Sequence, residues 1–101
     1  MIVVRNVFQV KFGKAREATA LLKQGVAAQQ KALAGVEYSS RILTDVTGPF
    51  YTLVLEMSFP SLAVYEANAP KGMSDKEFQT HYQQLSALVE SGHREIYKVV
   101  E

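Results

Sequence analysis

Arg41 and Glu56 are the charged side chains whose spacing first suggests chemistry. They fall on two strand-like segments, Val36–Val46 and Tyr51–Phe59, joined by Thr47-Gly48-Pro49-Phe50. Proline fits poorly in a two-residue turn, so a four-residue loop is expected. That loop pairs Val46 with Tyr51, then Thr44 with Leu53, Ile42 with Leu55, Ser40 with Met57 and Tyr38 with Phe59. On the opposite face Asp45 meets Thr52, Leu43 meets Val54 and Arg41 meets Glu56. A slip of one residue would set apolar side chains against charged ones along the whole ladder, so the pattern selects this register. Arg5 is expected one strand further across. The three groups are either a cross-strand ion pair that fixes register or an anion site. In the second case Arg5 and Arg41 hold an anionic or carbonyl ligand, and Glu56 is its base or orienting partner. Two arginines around one carboxylate leave a positive charge uncompensated, which is the argument for a ligand, but the pair is more specific as structure than as chemistry.

Three further residues could join such a site. Asn6 interrupts an otherwise apolar strand face, and a buried amide must find a hydrogen-bond partner or face a cavity. His81 lies beside Tyr82, one residue from a buried helical stripe. It is a helix-face residue or a pocket-lining proton acceptor. His93, at the start of the last strand, is expected in water. Histidines and carboxylates show no spacing suited to a metal ion. No glycine-rich phosphate loop and no serine nucleophile motif is present. The candidate pocket therefore comprises Arg5, Asn6, Arg41, Glu56, His81 and Tyr82, with His81 and Glu56 the catalytic candidates and no cofactor expected.

The elements that carry these residues follow from hydrophobic periods. Ile2–Phe12 alternates as a strand, with Ile2, Val4, Phe8, Val10 and Phe12 on one face and Val3, Arg5, Val7, Gln9 and Lys11 on the other. Gly13 ends it. From about Lys14 to Ala34 the chain is rich in Ala, Leu, Lys and Gln, and Ala18, Leu21, Leu22, Gly25, Val26, Gln29 and Leu33 recur at helical period. Gly25 is read as close packing, and Gly35 as the stop. After the hairpin, Ser58-Phe59-Pro60-Ser61 opens a short helix to about Ala67. Asn68–Met73, with Pro70 and Gly72, is expected to be a loop. Ser74-Asp75-Lys76-Glu77 reads as a capping box for a helix that buries Phe78, Tyr82, Leu85 and Val89, flanked by Leu88. Ser91-Gly92 would close that helix, and His93–Glu101 is the last strand.

The 101 residues make one domain of modal size, 1–101, with 48% apolar residues and no low-complexity stretch. Eleven basic and ten acidic residues give a net charge of +1, which argues for neither nucleic acid nor a membrane surface. The absence of cysteine removes disulfides, thiolate metal sites and a cysteine nucleophile. Arg5 and Asn6 break the apolar start Met1–Val4, so neither a signal peptide nor a membrane span is expected. A cytoplasmic protein follows.

The order β-α-β-β-α-β predicts an α+β, ferredoxin-like fold: a four-stranded antiparallel sheet, order 4-1-3-2, with its helices on one face. Beneath the helices lie Tyr51, Leu53, Leu55, Met57 and Phe59 with the companion rows of the first two strands. The uncovered face mixes Val3, Val7, Leu43, Phe50 and Val54 with Arg5, Gln9, Arg41 and Glu56. In water that apolar part nears the upper limit for a monomer, so packing against another copy's sheet is expected. RNA-recognition domains share the element order. They carry aromatics and basic residues on the third strand, whereas Tyr51–Met57 has an acid at its exposed centre and no basic residue.

Several segments resemble a known group. They are Ile2–Lys14 running into an Ala/Leu helix, the hairpin Arg41–Pro49 into Tyr51–Glu56, and Phe59-Pro-Ser-Leu-Ala-Val-Tyr-Glu66 after the third strand. With these the chain resembles the dimeric α/β-barrel superfamily, including antibiotic-biosynthesis monooxygenases, stress-response barrels and NIPSNAP-like proteins. The likeness spans nearly the whole chain but is one of pattern, not of catalytic motif. It implies a homodimer through sheet-to-sheet packing and a cavity between sheet and helices. It implies no single chemistry. Two functions are open: a cofactor-independent monooxygenase or isomerase acting on a small aromatic or polyketide-like molecule, and a non-catalytic ligand-binding or accessory dimer. Haem binding or degradation is a lesser alternative. Haem-degrading members use a helix histidine and a first-strand asparagine, roughly matched by His81 and Asn6, but also a tryptophan, which this chain lacks.

Overall fold

A computed structural model describes residues 1–101. Its strands are β1 (Ile2–Val10), β2 (Ser39–Thr44), β3 (Thr52–Phe59) and β4 (Val89–Lys98), and its helices α1 (Ala15–Ala32), α2 (Leu62–Met73) and α3 (Lys76–Ser86). All neighbouring strands are antiparallel and lie in the order β2-β3-β1-β4. This is the ferredoxin-like arrangement. The hairpin register is the expected one, from Ser40 opposite Met57 to Thr44 opposite Leu53.

One face of the sheet carries the core. Ile2, Val4, Phe8 and Val10 of β1 and Leu53, Leu55, Met57 and Phe59 of β3 pack against Ala18, Leu22 and Val26 of α1 and Leu85 of α3. These even-numbered and odd-numbered rows are apolar because each residue points under a helix. Burying one such side chain contributes about 1.5–3 kcal/mol, which sets the facing of the whole sheet. At Gly25 α1 faces α3 with room to spare: a Cβ placed there would stand 3.6 Å from His81 Cβ and from the Phe78 ring, an ordinary contact, so the approach does not require the glycine.

Four expectations are corrected. The first three strands are shorter than their patterns: Val46, placed in the core, is 96% exposed, and Phe12, assigned to the same strand face as the core row of β1, is 75% exposed. They lie past the last ladder pairs and no longer face the helices. The stretch from Asn68 to Met73 is not a loop, because α2 continues through Pro70. Proline removes only its own donor. The last turn is held by Ser74 N–H to Pro70 O at 3.0 Å, and the middle of the helix gains a side-chain bond from Asn68 Nδ2 to Val64 O at 2.8 Å. Because α2 runs on, Ser74 caps its C-terminus, and Asp75 takes over as the cap of α3, accepting from Phe78 N–H at 2.9 Å. Finally, α3 ends at Ser86, so Val89, Ser91 and Gly92 belong to β4. Gly92 sits opposite Phe8, where a Cβ would come within 3.2 Å of Val7 O and 3.3 Å of the Phe8 ring. Close backbone approach explains this glycine better than a helix stop does.

Candidate functional site

Between the helices and the covered sheet face lies a cavity of about 470 Å³. That is within the range of small-molecule sites. Phe8, Leu22, Leu55, Met57, Phe59, Tyr65, Phe78 and others make it apolar, 11 of its 17 lining residues being hydrophobic. Its polar groups are Asn6, Gln29, Gln79, Gln83, Ser86, Arg94 and the Tyr82 hydroxyl. A second recess of about 400 Å³ adjoins it and shares Asn6, Phe8, Tyr82, Ser86 and Arg94.

Asn6 belongs to this site because the β1 pleat turns it inward, with Leu55 on one side and Arg94 on the other. The amide finds its partner there: Arg94 Nε donates to Asn6 Oδ1 at 2.7 Å. Tyr82 stands at the rim, 42% exposed, edge-on to Phe8 at 6.3 Å and beside Phe78 at 5.5 Å. It was expected to be buried. The chain instead leaves its hydroxyl at the opening. Gln29 is nine-tenths or more buried (6% exposed), and its Oε1 has no hydrogen-bond partner. It lies against α2, where a Cβ on Gly72 would be 2.9 Å from its Nε2.

The six-residue pocket expected from the sequence does not form. Arg5, Arg41 and Glu56 share the uncovered face, since odd residues of β1 and β2 and even residues of β3 point away from the helices. There Arg41 Nε donates to Glu56 Oε1 at 2.8 Å, and Arg5 Nε lies 3.6 Å from Oε2. The same cross-strand row continues to Glu95 of β4, opposite Arg5. Two arginines therefore face two carboxylates, and the uncompensated charge that suggested a ligand is absent. Glu95 also meets His93 Nε2 at 3.2 Å.

His81 is half-buried on the α1 side of α3, near Gly25, and does not line the cavity. Its Nδ1 is buried without a partner. An imidazole turned toward α1 cannot serve as axial ligand to a group held in the cavity, so these residues do not fit haem. Arg94 and Gln29 were missed as site residues. Gln29 had a signal as the polar member of the α1 stripe; Arg94 had none, because its row on β4 (Gly92, Arg94, Ile96, Lys98) is not an apolar row that it interrupts.

No protein-family model and no curated protein matches the sequence. The fold, by contrast, is shared with solved structures. A NIPSNAP family protein from Agrobacterium tumefaciens is 23% identical with a TM-score of 0.82, the match covering 99% of this chain and 93% of that one. An uncharacterized NIPSNAP domain protein from Burkholderia xenovorans is 14% identical with a TM-score of 0.83, covering 99% and 95%. An antibiotic biosynthesis monooxygenase, 14% identical with a TM-score of 0.76, is covered in full by the whole of this chain. At these identities the likeness is one of fold. No helix is long and apolar enough to cross a membrane.

Proposed function

We propose that the chain is a homodimeric binding protein for a small, largely apolar molecule. The observation that carries this is the apolar cavity with Asn6, Arg94 and Tyr82 gathered at one end. Polar groups at a few fixed points of an oily cavity orient a ligand and select among ligands. The rival function is cofactor-independent oxygenation or isomerisation, suggested by the fold shared with an antibiotic biosynthesis monooxygenase. Either reaction needs a base within hydrogen-bond reach of the substrate's proton. The cavity lining contains no histidine and no carboxylate; Glu90 and His93 line only the adjoining recess, so the apolar cavity itself favours binding over turnover.

Dimerisation rests on the uncovered face. A sheet of four strands this long offers roughly 600 Å² per protomer, enough for a specific interface when two such faces meet. The molecule is a slab of 37 × 33 × 17 Å, so that face is a broad side of it.

The test combines light scattering with a thermal-shift screen of hydroxylated naphthalenes and naphthoquinones. The expected result is a particle of twice 11.2 kDa whose melting temperature rises with such a compound. The rise should vanish in Ala69→Phe, which fills the cavity. Oxygen uptake with 1,4-naphthohydroquinone above the buffer rate would overturn the choice of binding over turnover.

A further inference from the structure

The cavity contains a single formal charge. It belongs to Arg94, since the lining holds no other arginine, no lysine and no carboxylate, and none of the ion pairs in the chain involves it. Its Nε is engaged by Asn6, which fixes the plane of the guanidinium and leaves the two terminal NH2 groups for another oxygen. A planar fork held in this way suits a carboxylate or an ionised enol or phenol. Arg94 is exposed, as a group at a cavity mouth must be, while the lining beyond it is chiefly Phe, Leu and Met.

A second, independent observation lies elsewhere in the same cavity. Gln29 Oε1 is buried with no donor to meet it. An unpartnered buried amide costs about as much as a lost hydrogen bond. A hydroxyl on the ligand both donates and accepts, so it satisfies either end of that amide.

Resting on the binding function above, we infer that the ligand is an apolar acid: a hydrocarbon or aromatic body with one anionic oxygen held by Arg94 and Asn6, and a hydroxyl that meets Gln29. The sequence alone assigned no role to either Arg94 or Gln29.

Naphthalene, 2-naphthoate and 2-naphthol test this by fluorescence titration; with no tryptophan, the protein background is that of its five tyrosines and is subtracted with a probe-free control. All three share one apolar body. The expected result is that 2-naphthoate binds about 10-fold or more tightly than naphthalene, the size of a charge-assisted hydrogen bond. Arg94→Gln should cancel that preference and leave naphthalene unchanged. Gln29→Met should cancel a smaller preference for 2-naphthol while keeping the one for 2-naphthoate. An unchanged melting temperature certifies that each variant is folded. Equal affinity for naphthoate and naphthalene, or a naphthoate preference that survives Arg94→Gln, overturns the anion site alone. A naphthol preference untouched by Gln29→Met overturns the hydroxyl contact. Binding of no probe, or binding that persists in both Ala69→Phe and Ser86→Phe, overturns the cavity itself as a ligand site.

Discussion

Tyr38 stacks on Phe59, with ring centroids 5.4 Å apart and planes inclined by 12°, yet its hydroxyl is buried without a hydrogen-bond partner. The ring belongs where it is and the oxygen does not. Tyr38→Phe keeps the stack and removes the orphan, so urea unfolding should show a gain of about 0.5–1 kcal/mol. Burial also pushes the Tyr38 phenol above its ordinary value of 10.0. The unfolded chain therefore loses that proton first, and native stability falls as pH climbs past 10. The Phe variant should lack this share of the alkaline loss, and an unchanged alkaline limb would show that the hydroxyl reaches water. The site was legible to the same depth as its residues' polarity. Asn6 stood out because it breaks an apolar row, and the row's facing was correct. Arg94 escaped because beginning the last strand at His93 left it unregistered with β1. Arg5, Arg41 and Glu56 were grouped with Asn6 although their strand positions have the opposite parity. Facing is a stricter filter than charge, and applying it to all six would have divided the set.

The helices distinguish small residues that relieve crowding from those that merely tolerate it. At Gly25 of α1 a methyl group would rest at ordinary van der Waals distance, 3.6 Å from His81 Cβ and Phe78 Cδ1. Gly25→Ala should therefore raise stability by about 0.5–1 kcal/mol through helix propensity. At Gly72 of α2 the same methyl would meet Gln29 Nε2 at 2.9 Å and Cγ at 3.0 Å. Gly72→Ala should lower the melting temperature and weaken 2-naphthol binding, because Gln29 must give way. A loss in Gly25→Ala equal to that in Gly72→Ala would contradict this distinction. Strand and helix periods were readable wherever one face is buried, which is why the hairpin register follows directly from its residues. They failed at Asn68–Met73 and at Ser91-Gly92, where proline and glycine normally signal an end. Docking of Gly72 on Gln29, and of Gly92 under Phe8, outweighs those local preferences. Such contacts join residues far apart in the chain, so no local window contains them.

Across the uncovered face one row reads Arg41, Glu56, Arg5, Glu95 from β2 to β4, alternating in sign along the full width of the sheet. A second copy can cover it face to face about a two-fold axis lying between the sheets. If that axis runs along the strands, midway between β3 and β1, it reverses the row. Arg41 then faces the partner's Glu95 and Glu56 faces the partner's Arg5. If the axis runs along the row instead, every charge meets its own kind, and like charges in a closed interface oppose association. The alternation thus selects the first axis. The flanking row of Leu43, Val54, Val7 and His93 adds apolar area without upsetting the match. Because the chain has no cysteine, introduced thiols report the axis cleanly with a short bismaleimide. Neither Arg41→Cys nor Glu95→Cys alone should cross-link to itself, since each sits at an outer strand on the side away from its own copy. A mixture of the two variants should give cross-linked heterodimers, and the double variant should link quantitatively. Efficient self-linking of Arg41→Cys would place the axis along the row and remove the electrostatic reason for this pairing.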